Sequence, residues 1–292
     1  MQGKARLCVL LLALIGMSTA AAQAAAPPPT ANGHALVKGD ARAKRGSSPN
    51  LIYHGGPVMT AGTAVTAIFW GTSWSTSDTK ISWLGKFYGG ITGSSYLGTN
   101  TEYTDSARRH VSAAVTYDGA VIDNSPAISH APQTKDIQAE VAKLISNPVP
   151  NGYYPVYIDQ PRGHTQHCAW QSYGDVNGVT VQFGFFFNLD GDPGCDPQSP
   201  VSTYGQGVAA LANVSGHELS EMLTDPQLNA WYDASGAENS DKCAWTFGSR
   251  TLSFGGASWK IQGNWSNAAY DANRGYTDAD AGFVRGCIDG TN

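Results

Sequence analysis

Apolar and polar positions alternate along this chain with two different periods, which predicts a succession of strands and helices. Residues 63–70 (TAVTAIFW) and 179–188 (VTVQFGFFFN) are runs of β-branched and aromatic side chains, a pattern typical of buried strands. Apolar side chains recur at helical spacing over residues 134–145 and over a longer stretch, residues 204–223. Because strands and helices alternate, we expect an α/β (mixed α+β) fold, a single domain with one mixed, twisted sheet and a long helix that carries the site. The other predicted elements are a helix over 78–88 and strands over 110–117 and 153–158.

The first 50 residues follow a different pattern. Lys4 and Arg6 precede an apolar run and a group of small residues, which predicts a signal peptide over residues 1–24. Residues 25–50 are rich in Pro, Ala, Gly and Ser with almost no large apolar side chain, so we expect a flexible lead or pro-segment. The globular domain is then residues 51–292. No later apolar run is long enough to span a bilayer, so we expect a secreted protein, extracellular or periplasmic, without a membrane anchor.

Charge and composition exclude some classes of binding partner and of fold. The chain of 292 residues has 18 Lys and Arg against 23 Asp and Glu, a net charge of −5. A nucleic-acid-binding protein needs a basic surface to hold phosphates, so nucleic acid is not an expected partner. Charged residues are only 14% of the chain, too few for a coiled coil. No pattern indicates the oligomeric state.

Four cysteines remain once the signal peptide is removed, an even number that predicts two disulfides in an oxidising compartment. Three connectivities are open. We favour Cys168–Cys195 and Cys243–Cys287, because each pair closes a loop within one segment. The alternative is a thiolate metal site near His164 and His167, which the absence of any C-x-x-C pair disfavours.

The strongest chemical signal is Gly216-His217-Glu218-Leu219-Ser220-Glu221, an H-E-x-x-E pattern in the long predicted helix. The whole chain contains five glutamates, and three of them lie within 21 residues of one another beside His217. His217 and Glu221 are four residues apart, so they face the same side of a helix and can bind one metal ion. The adjacent Glu218 is then placed to act as general base in a hydrolysis.

A catalytic zinc ion needs a third protein ligand and one open position. The segment 229–245 offers Glu238 as our first choice and Asp241 as the alternate ligand. We expect Zn²⁺, with Ca²⁺ or Mn²⁺ as alternatives because the set is rich in carboxylates. Asp225 either holds the second ring nitrogen of His217 or belongs to the turn that ends the helix. A metal-free network of buried carboxylates also remains open for His217 and its neighbours.

Several further segments carry a family resemblance. His54-Gly55-Gly56-Pro57-Val58, the strand that ends in Ile68-Phe69-Trp70-Gly71, and Thr224-Asp225-Pro226 with residues 229–232 resemble the secreted phosphate-induced (EXORDIUM-like) protein family of plant cell walls. The resemblance covers most of the chain from about residue 51 onward. It implies an extracellular protein linked to growth responses, and it implies no particular chemistry.

The H-E-x-x-E segment also resembles the active-site helix of zincin metallopeptidases, with Glu221 in place of their second histidine. This resemblance implies a zincin-like sheet whose edge strand, residues 179–187 or its neighbour, binds a peptide, and it implies that Tyr232 donates to the oxyanion.

These patterns lead to one main hypothesis and two competitors. The main hypothesis is a secreted metal-dependent hydrolase, a zinc metallopeptidase-like enzyme acting on extracellular polypeptides, with Glu218 as general base and His217, Glu221 and Glu238 as ligands. The first competitor is a non-catalytic extracellular binding protein, EXORDIUM-like and associated with the cell wall, in which the same residues hold a structural metal or none. The weakest is a polysaccharide-active protein, suggested by eight tryptophans.

Overall fold

A six-stranded mixed sheet forms the centre of the protein in a computed structural model that describes residues 34–36, 49–129, 132–278 and 283–291. The strands of the described chain are β1 (His34–Leu36), β2 (Ile52–Tyr53), β3 (Thr63–Trp70), β4 (Val115–Asp123), β5 (Gly152–Pro161), β6 (His167–Val176), β7 (Val179–Asn188), β8 (Trp231–Tyr232), β9 (Leu252–Phe254), β10 (Ala257–Trp259), β11 (Asn264–Trp265), β12 (Tyr276–Asp278) and β13 (Phe283–Ile288). The order in the large sheet is β1-β6-β7-β5-β3-β4. Strands β4, β3, β5 and β7 are parallel, whereas β6 is antiparallel to both β7 and β1.

Helix α1 (Thr79–Gly90) connects β3 to β4 and helix α3 (Thr134–Leu144) connects β4 to β5, and both begin at polar caps. The N-cap of α1 is Asp78, whose side chain accepts a hydrogen bond from the Lys80 amide, and Gln133 with Asp136 forms a capping box at α3. None of the described helices has the length and apolar character needed to cross a membrane. The helices are α1 (Thr79–Gly90), α2 (Ser95–Gly98), α3 (Thr134–Leu144), α4 (Gln206–Thr224) and α5 (Asn267–Asp271), with 3₁₀ turns at Thr99–Glu102 and Asp241–Cys243.

The predicted mixed α/β single domain is confirmed, and most predicted elements lie within two or three residues of their observed bounds. The strand predicted over 110–117 is wrong, because β4 begins only at Val115. Val111 is buried, but its amide donates to the Tyr103 carbonyl and that of Ser112 to the Met59 carbonyl, so the segment before β4 pairs with loops instead of the sheet.

The core lies on both faces of the sheet. Strands β5 and β7 are buried over most of their length, as expected for central parallel strands. Tyr157 of β5 stacks between Phe69 and Phe186, with ring centroids 5.1 and 4.5 Å away. Helix α4 packs against this sheet on one side and against the C-terminal segments on the other, so every residue from Gly207 to Thr224 is buried. Helix α4 is therefore buried on all sides.

Two disulfides fasten the loops around α4. Cys168 is bonded to Cys195 and Cys243 to Cys287, which confirms the favoured connectivity and leaves none of these thiols available for a thiolate metal site. The second disulfide joins the 3₁₀ turn Asp241–Cys243 to β13. It therefore fixes the position of the loop from which the sequence predicts a third metal ligand.

The two edges of the sheet differ. At the β4 edge, the pairing with β3 shifts between Val65 and Thr66, and Asp118 is the extra residue of a β-bulge next to Gly119, whose φ of +113° suits glycine. At the other edge, β6 pairs with β1, which comes from the predicted lead. The predicted signal peptide lies outside the described residues, as does the rest of the lead apart from residues 34–36 and 49–50. Residues 34–36 form a strand because the edge of β6 supplies partners for their backbone groups.

Candidate functional site

The C-terminal half of α4 carries the H-E-x-x-E residues into the interior. His217, Glu218 and Glu221 are all buried, between the sheet and the C-terminal segments. The helix ends at Asp225, whose Oδ1 accepts hydrogen bonds of 2.6 Å from the amides of Asn229 and Ala230. Asp225 therefore organises the turn after the helix, and the alternative role as a partner of His217 is not observed.

The segments of the first family resemblance pack together at this turn. The His54 amide donates to the Ala230 carbonyl and the Gly56 amide to the Asn229 carbonyl, at 2.7 and 2.9 Å. A Cβ on Gly56 would collide with Asn229, so this close approach requires glycine. The His-Gly-Gly-Pro motif and the turn closed by Asp225 are thus two halves of one structural unit that ends the site helix.

Three predicted ligands come together. Nε2 of His217 lies 2.8 Å from Oε1 of Glu221 and 3.5 Å from Oδ1 of Asp241. Each of the three residues offers one ligand atom within 4.8 Å of the other two. The Asp241 amide also donates to Glu221 Oε1 at 3.1 Å, which holds the 3₁₀ turn against the helix. His217 and Glu221 are fully buried, while the Asp241 side chain is 21% exposed and is the part of the cluster nearest to solvent.

Glu238, our first choice as third ligand, is buried beside this cluster but is not one of the three converging residues. Its two carboxylate oxygens lie 3.3 and 3.4 Å from Nε2 of Gln171 on β6, which donates to them. Its amide donates to Asp241 Oδ2 at 3.2 Å. Glu238 therefore connects the antiparallel strand β6 to the loop that carries Asp241.

Glu218 and Tyr232, the predicted catalytic residues, have different surroundings. Oε1 of Glu218 accepts a hydrogen bond of 3.0 Å from the amide of Ala35 in β1, so the edge segment covers this carboxylate. Tyr232 lies on β8, half-buried, and its ring stacks on His54 with centroids 3.6 Å apart. Glu218 is thus adjacent to the three converging residues, whereas the ring of Tyr232 contacts the His-Gly-Gly-Pro segment.

Burial of so many carboxylates shifts their protonation. Burial and the charge of Asp241 raise the pKa of Glu221 to about 7. Burial also raises the pKa of Glu218 and Glu238 well above the ordinary range, and in both cases the charge of Glu221 adds to the shift. Burial opposes the charged imidazolium of His217, but Glu221 and Asp241 outweigh it and raise the pKa of His217. The cluster therefore holds protons that its groups would release in water.

Gln262 sets the proton position on His217. Its Nε2 lies 2.9 Å from His217 Nδ1 and donates to the Ser240 carbonyl at 2.9 Å, while its Oε1 accepts from the Trp245 amide. In this orientation Nδ1 is an acceptor and the ring proton is on Nε2. A metal bound at Nε2 needs that proton on Nδ1, so binding requires the Gln262 amide to rotate and present Oε1 to the ring. The same rotation suits a protonated His217 ring, which Glu221 and Asp241 favour, because the ring then donates from Nδ1 to Gln262 Oε1.

The donor set otherwise fits a cation. Three buried side-chain atoms at this site have no hydrogen-bond partner among the described residues, namely His217 Nε2, Glu218 Oε2 and Glu221 Oε2. His217 Nε2 lies 2.8 Å from Glu221 Oε1 and forms an ion pair with it when the ring is protonated, so a metal ion would replace that proton between the same two atoms. Unpartnered buried oxygens are uncommon, and ligand atoms that converge in this way are typical of a metal-binding position.

Sequence analysis did not identify three polar contacts of the site. Gln171, Gln262 and the Ala35 amide each bond to a predicted site residue. Glutamines are frequent on surfaces, and residue 35 lies in a segment with no strand pattern, so neither composition nor spacing indicates them. Only the pairing of β6 with β7 and β1 brings two of these groups to α4.

Comparisons with known proteins give one similarity. The chain is similar to "Protein EXORDIUM-like 3" of Arabidopsis thaliana, with 26% identity over an alignment of 292 positions that covers 84% of each chain. No protein-family model matches the chain. No solved structure matches it either. The similarity supports the resemblance to EXORDIUM-like proteins drawn from the sequence.

Proposed function

We propose that this chain is a secreted, EXORDIUM-like extracellular protein that holds a divalent cation through His217, Glu221 and Asp241. The observation that carries the proposal is the convergence of three ligand atoms within 4.8 Å of one another, next to the buried Glu221 Oε2, which has no hydrogen-bond partner among the described residues. Secretion is supported by the signal-peptide pattern of residues 1–24 and by two disulfides, which persist in oxidising compartments.

Charge balance favours a cation over a metal-free network. Glu218, Glu221 and Glu238 are buried together, and Asp241 lies at the margin of the same cluster. The buried ammonium of Lys242 is paired with Asp233 at 2.8 Å. Buried carboxylates need a positive partner or a proton, and one divalent cation relieves the repulsion of several of them at once.

The donor types favour zinc. Catalytic zinc sites with three protein ligands use imidazole nitrogens and carboxylate oxygens and leave a fourth position open, and the set here has one imidazole and two carboxylates where His₂Glu is the common form. Mn²⁺ accepts the same set, whereas Ca²⁺ prefers six to eight oxygen ligands, more than the converging residues supply. Glu238 remains a proposed further ligand, which would have to leave Gln171 to bind.

A non-catalytic binding role is the first candidate for what the site does. Two observations favour it: the similarity to EXORDIUM-like 3, and the burial of Glu218 beneath β1, where its side chain has no exposed surface among the described residues. In this role the cation joins α4 to the loop of Asp241 and stabilises the fold.

A metal-dependent hydrolase of the metallopeptidase kind is the second candidate, and Glu218 is the observation that favours it. A cation held by the neighbouring residues would supply Lewis-acid activation. Glu218 is next to His217 in sequence, and burial raises its pKa, which makes it a stronger acceptor of a proton from water than a solvated glutamate. Its Oε2 is unpartnered and can accept that proton. Tyr232 remains a proposed donor to the oxyanion. Of the two strands proposed as the zincin-like edge, residues 179–187 (β7) lie inside the sheet between β6 and β5, so the neighbouring antiparallel strand β6 is the candidate that is left.

Elemental analysis of the secreted protein, purified without chelators, tests the cation site. We expect about one zinc per chain in the wild type, loss of the metal in His217→Ala, and full retention in His164→Ala, a control at an exposed histidine. Equal metal content in the two variants, or none in the wild type, contradicts the proposal. Screening the metal-loaded protein and its Glu218→Gln variant against a peptide library then separates the two candidates, because only a hydrolase loses an activity in Glu218→Gln.

A further inference from the structure

Strand β1 occupies a distinctive place, between the edge of β6 and the site helix. His34, Ala35 and Leu36 pair antiparallel with Trp170, Ala169 and His167. The segment also contacts α4 and the 3₁₀ turn Asp241–Cys243. Ala35 is only 2% exposed, and its amide donates to Glu218 Oε1. A segment from outside the predicted globular domain is thus seated on the site.

We propose that the outer edge of β6 is a binding site for an extended polypeptide with a small side chain at its centre, and that residues 34–36 are its intramolecular ligand. Another polypeptide can bind, and can reach Glu218, only after this segment leaves. The inference names the ligand class of the site under Proposed function and rests on it in so far as Glu218 belongs to both.

Backbone chemistry supports a polypeptide as the ligand. An edge strand presents a row of amides and carbonyls, and an added antiparallel strand satisfies them whatever its sequence. The Ala35 amide adds a specific contact, because it donates to Oε1 of the buried Glu218 carboxylate. The second oxygen of this carboxylate, Oε2, has no hydrogen-bond partner among the described residues. A peptide therefore gains from the site itself as well as from the sheet.

Side-chain packing supports a small central residue. Ala35 lies opposite Ala169, and both are buried. Residues directly opposite on antiparallel strands have side chains on the same face, about 4.5–5.5 Å apart at Cβ. Two alanines fill this position, so a large side chain at residue 35 has no room beside α4. Glycine, alanine and serine are the residues that the site admits at this position.

Charge supports the lead as the resident ligand. Residues 25–50 contain four Lys or Arg against one Asp, whereas residues 51–292 contain 12 Lys or Arg against 22 Asp or Glu. Opposite net charges favour docking of the lead on the acidic domain. Because the segment is covalently attached, its effective concentration is in about the millimolar range, and it excludes free peptides of moderate affinity.

The test uses the full-length secreted chain and a labelled synthetic peptide of residues 31–40 (ANGHALVKGD). In Ala35→Trp the attached segment no longer fits, so we expect this variant to bind the peptide. Wild type and the matched control Ala35→Ser keep their own segment and bind it at least tenfold more weakly, as measured by fluorescence anisotropy. A peptide with tryptophan in place of Ala35 should bind none of the three chains.

Failure of Ala35→Trp to bind the alanine peptide, or equal binding of both peptides, overturns the inference. Circular dichroism and thermal unfolding establish that each variant is folded. Should Ala35→Trp not fold, Ala35→Pro replaces it, because proline removes the amide that donates to Glu218. Hydrogen exchange gives a second readout: the backbone amide of residue 35 should be protected from exchange in wild type and in Ala35→Ser, and unprotected in Ala35→Trp.

The outcome is separable from that of the proposed function. Binding is measured in EDTA and repeated in an Ala35→Trp/Glu218→Gln chain, where the amide oxygen still accepts from the peptide. Peptide binding by a protein that contains no metal and cleaves nothing supports the inference and contradicts the cation site. Metal content and cleavage without selective peptide binding support the proposed function and overturn the inference.

Discussion

Removal of the disulfide Cys243–Cys287 should weaken cation binding, whereas removal of Cys168–Cys195 should not. The two bonds close loops with sequence separations of 44 and 27 residues. In the chain-entropy model these loops correspond to about 4.0 and about 3.6 kcal/mol of stability at 25 °C. For a chain of this size that is a fall in Tm of roughly 7–16 °C for either pair of Cys→Ala substitutions. Global stability alone therefore hardly distinguishes the two variants.

The positions of the two disulfides relative to the cation site do distinguish the variants. Cys243 is two residues after Asp241 in the same 3₁₀ turn, and its bond to β13 holds that turn against α4. Neither Cys168 nor Cys195 is near a converging ligand in sequence. We expect Cys243→Ala/Cys287→Ala to bind zinc at least tenfold more weakly, equivalent to about 1.4 kcal/mol.

Urea unfolding with and without Zn²⁺ measures both effects in one assay. At a zinc concentration of about 100 times Kd, the cation should add about 2.7 kcal/mol to the stability of wild type and of Cys168→Ala/Cys195→Ala. In Cys243→Ala/Cys287→Ala the gain should be about 1.4 kcal/mol at the same concentration. Equal gains in the two variants would refute the reasoning that the disulfide positions Asp241.

Three further substitutions test other parts of the structure. Burial, with a hydrogen bond to a neighbouring aspartate, raises the pKa of Glu140 to about 7. The folded state therefore binds a proton more tightly than the unfolded state, and it loses stability as pH rises from about 4.5 to 7. Glu140→Gln lacks this loss, so the difference in Tm between this variant and wild type should grow in favour of the variant between about pH 4 and pH 8. Lys242→Met leaves the carboxylate of Asp233 buried without its partner and should cost about 3–5 kcal/mol in urea unfolding, part of which Asp233→Asn in the same chain should restore. Gly56→Ala should destabilise by more than about 2 kcal/mol, because its Cβ would lie 2.6 Å from a backbone carbonyl oxygen of the turn after α4, while Gly98→Ala, with open space around it, should be neutral or stabilising.

The sequence predicted those elements in which local pattern and burial agree. The bounds of β3 and β7 match their apolar runs because both strands are interior, where most positions are apolar or small. The beginning of β4 could not be located in this way, because an edge strand with one solvated face and a bulge mixes polar and apolar positions. Disulfide connectivity followed from loop size because each pair joins segments that are close in sequence.

The site was predictable only as far as one helix determines it. The spacing of His217 and Glu221 fixes their proximity, and the structure brings them together with Asp241. The choice between Asp241 and Glu238 depends on the path of a loop, which the Gln171 contact and the 3₁₀ turn determine and which spacing does not encode. The contact between Ala35 and Glu218 spans 183 residues and is backbone-mediated on one side, so no side-chain pattern indicates it.

The two edges of the central sheet have a consequence for solubility. The β4 edge carries Asp118 in a bulge, a feature that discourages another copy of the chain from adding its own strand. The β6 edge is shielded by three residues of the lead. A chain that loses this segment exposes the backbone edge of a ten-residue strand, so it should self-associate as its concentration rises unless a peptide takes the vacated place. Keeping the lead attached would then protect the protein from aggregation at high concentration.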